Sequence, residues 1–146
     1  MTTDETTTPP PAGEGRGAYQ AALATAERLL GRSLEPFLAP VPGEPAAGED
    51  FKRLATTHTF GDAWSRTDGP LDTRTRALVS VTIAAVLGTL EPLRGQLRIA
   101  LNNGATPEDI VEVFVQIEAY AGAARAFEGY QVALEVFREA AAARNE

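Results

Sequence analysis

Few side chains in this 146-residue sequence can move a proton near neutral pH, and the single histidine is the first of them. His58 follows Leu54 by four positions and Phe51 by seven, so a helix would place its imidazole on their apolar stripe, which we expect to face the interior. An imidazole on such a face can act as a general acid or base. It can equally be a core or interface side chain that bonds to a backbone carbonyl. The spacing leaves both interpretations open.

Glu118 is the second candidate for proton transfer. It follows Phe114 by four positions and Val111 by seven, which places it at the edge of an apolar helix face. A carboxylate held away from water there could act as an acid, or could orient the ring of a histidine. The competing interpretation is that Glu118 reaches solvent or pairs with Arg125, seven residues later. We expect His58 and Glu118 to form the catalytic pair if the protein is an enzyme.

The composition excludes several other kinds of chemistry. The absence of cysteine excludes disulfides, a thiolate nucleophile and a zinc site with cysteine ligands. The net charge of -7, with the basic residues scattered as single arginines, argues against nucleic acid as a partner. No glycine-rich phosphate loop and no metal-ligand spacing occur, and Ser65 and Ser80 lack a neighbouring base. We therefore expect neither a metal nor an organic cofactor.

The hydropathy pattern predicts one helical domain after a disordered leader. Residues 1–17 are rich in Thr, Pro, Gly and acidic side chains and lack the pattern of a secretory signal. The longest apolar run, residues 77–87, is about half of the ~20 residues that span a bilayer. We expect a single domain over residues 18–146, no membrane contact and a cytoplasmic location.

The first part of that domain is predicted to contain two helices separated by an extended connection. The first helix places four apolar residues at steps of three and four and stops at Gly31; these are Tyr19, Leu23, Ala26 and Leu30. The connection over residues 35–50 contains four prolines, which argues against a regular element. The second helix contains the stripe with His58 and ends near the breaker at residues 66–70.

Four further helices are predicted from their caps. The third begins after the capping residue Asp72 and ends at Gly88. It is apolar nearly all round, so we expect it at the centre of the fold or in a subunit interface. The fourth buries Leu93, Leu97 and Leu101 and ends in Asn-Asn-Gly. The fifth begins with a capping box at Thr106, Pro107 and Asp109 and buries Ile110, Val113, Phe114 and Ile117; the last buries Phe127, Tyr130, Leu134 and Phe137. Six helices and no strands define an all-α fold.

Three motifs in this helical region resemble the carboxymuconolactone decarboxylase family. They are "FGDAW", the helix junction "LRIALNNGATPEDI" and "AYAG", and the resemblance covers residues 60–137. The family shares its fold with the alkylhydroperoxidase D proteins. The resemblance implies an all-helical subunit that assembles as a trimer or hexamer, acts on a small molecule and needs no cofactor in the decarboxylase branch.

The sequence differs from the family at the positions that carry the family's chemistry. The two cysteines of the alkylhydroperoxidase D branch are absent, which excludes that redox activity. The decarboxylase branch has a glutamate where this chain has Ala77 and a histidine where it has Gln96, and neither replacement can transfer a proton. Gln96 can still hydrogen-bond a substrate carbonyl. The resemblance also places Trp64 and Tyr120 near the pocket, and Arg76, Arg98 and Arg125 are candidates for holding a substrate anion.

These observations favour a cofactor-independent lyase acting on a cyclic or aromatic, polyketide-like substrate of secondary metabolism. Decarboxylation, dehydration and ring closure each need a proton donor and a hydrogen bond to a developing enolate. We expect His58 to move the proton, Gln96 or Tyr120 to stabilise the oxygen, and Glu118 to set the tautomer of His58. Two alternatives stay open: the family's lactone decarboxylation performed by relocated residues, and a non-catalytic oligomer that binds ligands or serves as a scaffold.

Overall fold

The structure is a computed structural model that describes residues 12–146, with side chains from residue 15 onward. Within that part of the chain every regular element is a helix, which confirms the all-α prediction. None of these helices combines the length and the hydropathy that crossing a bilayer requires. The described residues form seven α-helices rather than the predicted six: α1 Ala12–Leu30, α2 Glu35–Leu38, α3 Ala47–Thr56, α4 Thr73–Leu87, α5 Leu90–Asn102, α6 Pro107–Ala121 and α7 Ala123–Arg144. A π-helical segment, Thr57–Ala63, continues directly from α3.

The described chain divides into two compact units. Unit 1 contains the described residues through Arg28 together with Arg32–Arg66, and unit 2 contains Leu29–Gly31 and Thr67–Glu146. In unit 1, α1 buries Ala22, Leu23 and Ala26. This helix begins at Ala12, so the last residues of the predicted leader belong to it. The rest of the leader, residues 1–11, lies outside the described residues.

The proline-rich connection of unit 1 is more ordered than its composition predicts. It contains the short helix α2, and α3 already begins at Ala47. Pro36 occupies the first turn of α2, where a missing backbone N–H removes no helical hydrogen bond. A prediction based on proline content alone therefore overlooks short helices that have a proline in their first turn.

In unit 2, α4 has the predicted ends. The Asp72 carboxylate accepts a hydrogen bond from the Thr75 N–H at 2.7 Å, and Gly88 ends the helix at a φ of 71°. The small residues of α4 are buried: Ala77, Val81, Ala84 and Ala85. Its other face leaves Val79, Ile83, Val86 and Leu87 exposed. One face of α4 is therefore buried, and the opposite face is apolar and exposed.

The junction between α5 and α6 also forms as predicted. The amide of Asn102 donates to the Leu29 carbonyl at 3.2 Å, which ties the end of α5 to the end of α1. Thr106 and Asp109 form the capping box, with reciprocal hydrogen bonds of 3.1 and 2.8 Å. Asp109 also pairs with Arg74 of α4 at 2.7 Å. The start of α6 is therefore fixed by its own cap and by a neighbouring helix.

The buried face of α7 differs from the prediction. Its large residues were expected inside, but Phe127 is exposed and Tyr130, Leu134 and Phe137 are only partly buried. The buried positions are mostly small: Ala126, Gly129, Val132, Ala133 and Val136. A Cβ atom added to Gly129 would lie only 2.8 Å from Phe114 and 3.2 Å from Leu93. The small residues therefore let α7 approach its neighbours closely, which explains why they occupy the core.

Candidate functional site

His58 lies on the surface of unit 1, and the prediction that it faces the interior is wrong. Its side chain is 85% exposed, and the two residues that defined the stripe, Phe51 and Leu54, are 72% and 60% exposed. The stripe formed by these residues is therefore apolar but exposed. An imidazole on such a surface is open to an incoming molecule.

The partner of His58 is Asp62, one turn further along the π-helical segment. Nδ1 of the ring lies 3.3 Å from Oδ2 of the carboxylate. An ionised carboxylate only accepts hydrogen bonds, so Nδ1 must be the donor. In the neutral ring this leaves the lone pair on Nε2 free to accept a proton. Sequence reasoning assigned the orienting role to Glu118 and missed Asp62, although a carboxylate four residues after a histidine was a visible signal.

His58 and Asp62 both lie on the π-helical segment, whose backbone sets their spacing. The N–H of Trp64, the residue that follows the segment, donates to the Thr59 carbonyl at 3.1 Å across five residues, and the hydroxyl of Ser65 donates to the Gly61 carbonyl. The side chain of Trp64 is buried. The hydroxyl oxygen of Thr57 is also buried and has no hydrogen-bond partner among the described residues. Short π-helical segments occur frequently at functional sites.

Glu118 lies in unit 2, on the rim of a groove between α6 and α7. The groove has a volume of about 250 Å³, and its remaining lining is apolar or aromatic: Val111, Phe114, Val115, Ala126, Phe127 and Tyr130. The rings of Phe114 and Tyr130 meet edge to face, with centroids 6.1 Å apart. Glu118 itself is exposed, so its carboxylate is not held away from water as the catalytic interpretation requires. The groove offers an apolar wall with one negative charge at its edge.

Gln96 lies on α5 between the buried residues Leu93 and Leu97 and is partly buried. Its side-chain oxygen is buried and has no hydrogen-bond donor among the described residues. A buried acceptor without a donor costs about 1–3 kcal/mol, so such an atom commonly receives a bond from water or a ligand. This is the chemistry expected of a substrate contact.

The remaining predicted contact residues of unit 2 are less enclosed. Tyr120 is 86% exposed at the end of α6. Arg125 pairs with Glu128 at 3.6 Å, and its guanidinium lies against Gly88. Arg76 is partly buried on α4, and Arg98 pairs with Glu139 at 2.6 Å. No three histidine, aspartate or glutamate side chains in the described part of the chain are grouped so that they could hold a metal ion.

Comparison with known proteins identifies the family. The model of the carboxymuconolactone decarboxylase family matches residues 49–135, more than half of the chain. The chain belongs to this family. The match confirms the resemblance seen at residues 60–137 and extends it toward the N-terminus, so that it includes most of α3 and the whole π-helical segment with His58 and Asp62.

One relative in this family is the 4-carboxymuconolactone decarboxylase of Acinetobacter baylyi, which is 32% identical over 91 residues. The aligned region is 62% of this chain and 66% of that enzyme, just under two thirds of its length. The present chain, in contrast, has Ala77 and Gln96 at the positions where the resemblance implies a glutamate and a histidine. Family membership therefore does not by itself supply the acid and base of the reaction.

Proposed function

We propose that this protein is a lyase of the decarboxylase type, and that His58 is its proton-transfer group. The observation that supports this assignment is the pair of His58 and Asp62, which lies within the family match and leaves Nε2 available. A histidine oriented by a carboxylate through Nδ1 is a common arrangement for general acid–base chemistry. We further propose that the reaction needs no cofactor and that the substrate is a cyclic or aromatic, polyketide-like acid of secondary metabolism.

The proposed step is the loss of CO₂ from a β-keto acid or a related lactone acid. The bond between the α-carbon and the carboxylate breaks, and its electron pair forms an enolate. Protonated His58 then donates the Nε2 proton to the α-carbon, and the neutral ring keeps its Nδ1–H bond to Asp62. The ring recovers a proton from water before the next turnover. Asp62 supports this cycle by accepting the Nδ1–H bond, so that Nε2 is the nitrogen that gives up and recovers the proton.

Unit 2 has residues of its own for which we propose contact with a small molecule. Gln96 is the strongest of them because its buried oxygen lacks a donor among the described residues. For Glu118 the proposal changes from orienting the histidine to marking one edge of the groove between α6 and α7. Substrate binding also stays a proposal for Tyr120, Arg125 and Arg76 of unit 2 and, separately, for Trp64 of unit 1.

The exposed apolar face of α4 supports the proposal that the protein is a homo-oligomer, either a trimer or a hexamer. Four of its residues are apolar and exposed: Val79, Ile83, Val86 and Leu87. Contiguous apolar surface of this kind commonly marks an interface. Sedimentation velocity on the purified chain would test this: a single monomeric species would contradict the proposal.

A second candidate function is the binding of a small molecule without chemistry. Two observations favour it: Gln96 cannot titrate, and the groove between α6 and α7 is preformed and largely apolar. A groove of this composition suits a flat aromatic ligand. Under this hypothesis the pair of His58 and Asp62 is an ordinary ion pair on a helix surface.

Release of CO₂ distinguishes the two functions. The purified protein is incubated with 4-carboxymuconolactone and with a panel of cyclic β-keto acids, and CO₂ is measured above the spontaneous rate. A lyase accelerates at least one substrate and loses that acceleration in the His58→Ala variant. Saturable binding of panel members without acceleration of any of them would support the binding protein and contradict the lyase.

A further inference from the structure

Unit 1 contains a cavity that neither the family match nor the proposed lyase site explains. Its volume is about 690 Å³, within the range of 300–1,000 Å³ typical of small-molecule sites. The walls come from α1, from the connection after α2 and from α3. The lining includes three basic residues, Arg16, Lys52 and Arg53. It also includes Tyr19, Leu38 and Leu54, whose side chains are largely apolar.

The wall formed by the connection is held in place by Lys52. Its ammonium donates to the carbonyls of Leu38 and Ala39 at 3.4 and 3.2 Å and pairs with Glu44 at 2.7 Å. Glu44 in turn accepts a bond from the Val41 N–H at 3.1 Å. The Lys52 hydrogen bond, followed by that of Val41, holds the pKa of Glu44 below its usual value. These bonds hold the proline-rich segment in a defined shape, so the cavity is present before any ligand binds.

The hydrogen-bond donors that line the cavity suit an anion. Lys52 and Glu44 neutralise each other, which leaves the guanidinium groups of Arg16 and Arg53 and the carboxylate of Glu49. Arg53 uses one nitrogen for Asp50 at 3.1 Å, and a guanidinium has five N–H donors, so others stay available. Asp50 offsets the charge of Arg53, so a carboxylate would be recognised by the N–H donors of the two guanidinium groups that line the cavity rather than by an excess of positive charge.

The rest of the wall is apolar and suits a hydrocarbon body. Leu38, Pro40 and Leu54 line the cavity together with Tyr19, whose ring can stack on a flat group. The volume admits a ring with a short substituent. A ligand with one negative charge and a ring would satisfy both the guanidinium groups and the apolar wall.

We propose that this cavity binds a small organic monocarboxylate with a ring-sized apolar body, at a site distinct from His58. The proposal does not depend on the lyase function, because His58 does not line the cavity and most of the lining precedes residue 49, where the family match begins. The site therefore adds a second ligand to this protein, recognised by charge at one end and by shape at the other.

Calorimetric titration of the full chain with benzoate tests the proposal, with benzamide as the neutral control of the same shape. We expect saturable binding of benzoate to one site and an affinity for benzamide that is at least about tenfold weaker, because charge-assisted hydrogen bonds are lost. The double variant Arg16→Gln, Arg53→Gln should weaken benzoate binding by at least about tenfold. The control variant Arg138→Gln, at an exposed residue of α7, should bind benzoate as the wild type does.

Three outcomes would overturn the proposal: no benzoate binding up to about 10 mM, equal affinity for benzoate and benzamide, or unchanged binding in the double variant. The His58→Gln variant separates this site from the proposed active site. Its benzoate affinity should equal that of the wild type, and a loss would place the probe at His58 instead. Both arginines lie at the surface, so circular dichroism should show the double variant to be folded.

Discussion

Nδ1 of His58 and Oδ2 of Asp62 lie 3.3 Å apart on one π-helical segment, a distance at which the ionised carboxylate can accept a hydrogen bond from Nδ1. The carboxylate is 72% exposed and the imidazole 85%, so the pair is accessible to solvent. A surface ion pair of this kind adds little to stability. In the proposed mechanism its role is chemical: it favours the tautomer with Nδ1–H and leaves Nε2 as the nitrogen that transfers the proton.

The Asp62→Ala variant should change the tautomer of His58. Without the carboxylate the neutral ring loses its preference for Nδ1–H, and the Nε2–H form should increase. Nitrogen NMR of the ring at about pH 8.5, above the ordinary histidine range, reports the tautomer directly, and the chain has only one histidine to assign. The Asp50→Ala variant, at another exposed acid of unit 1, should leave the ring signals unchanged. Identical spectra for the wild type and Asp62→Ala would mean that the contact does not orient the ring.

Two glycines in helix interiors should respond in opposite ways to the same substitution. Gly129→Ala puts a methyl group 2.8 Å from Phe114 in a packed interior, so we expect a loss of about 1–3 kcal/mol in the free energy of unfolding. Gly95→Ala meets no atom within 4 Å and gains helix propensity, so we expect a gain of up to about 1 kcal/mol. Urea unfolding followed by circular dichroism measures both. Equal effects of the two substitutions would contradict the close packing of α7.

Acid should weaken the helix starts in unit 2. The Thr106 N–H and Arg74 hold the pKa of Asp109 below its ordinary value of 3.8, and bonds from Thr75 do the same for Asp72. A carboxyl whose pKa is lower in the folded state stabilises the fold fully above its unfolded value. That contribution is lost as the pH falls through the lower folded value. Unfolding midpoints should therefore decrease below about pH 4.

The Asp109→Asn variant tests that explanation. It should unfold at a lower urea concentration than the wild type at pH 7. The difference should shrink as the pH falls through the lowered pKa of Asp109, because the wild-type carboxyl group is then protonated too. Asp68→Asn, in the loop before α4, is the control and should not alter the pH dependence. A difference between Asp109→Asn and the wild type that is constant with pH would show that the charge of Asp109 is not the cause.

Local signals in the sequence were enough to predict most of unit 2. The helix ends of unit 2 are set by interactions between residues close in sequence, namely the caps at Asp72, Gly88 and Thr106. Such caps can be predicted without knowing how the helices pack. The buried face of α7 could not be predicted in this way. Whether Phe127 or Gly129 faces the core depends on how closely Phe114 and Leu93 approach, which is a property of the packed helices.

The candidate site was harder to predict because periodicity assumes an α-helix. The prediction that His58 faces inward used a period of 3.6 residues and assumed that an apolar stripe is covered by the same chain. Phe51 and Leu54 are exposed, so the second assumption failed, and the π-helical turn alters the angular position of every residue that follows. The contact with Asp62 survives because side chains four residues apart remain neighbours in both kinds of helix.

The rate of CO₂ release by the His58→Gln variant, measured on the substrate that the wild type converts best, tests the central claim most directly. Glutamine keeps the size and hydrogen bonding of the side chain but cannot transfer a proton. We predict that kcat falls by about 10²- to 10⁴-fold, the usual contribution of general acid–base catalysis, while Thr59→Ala on the same π-helical segment stays within about twofold of the wild type. A His58→Gln variant with the kcat of the wild type would contradict the assignment of His58 as the proton-transfer group.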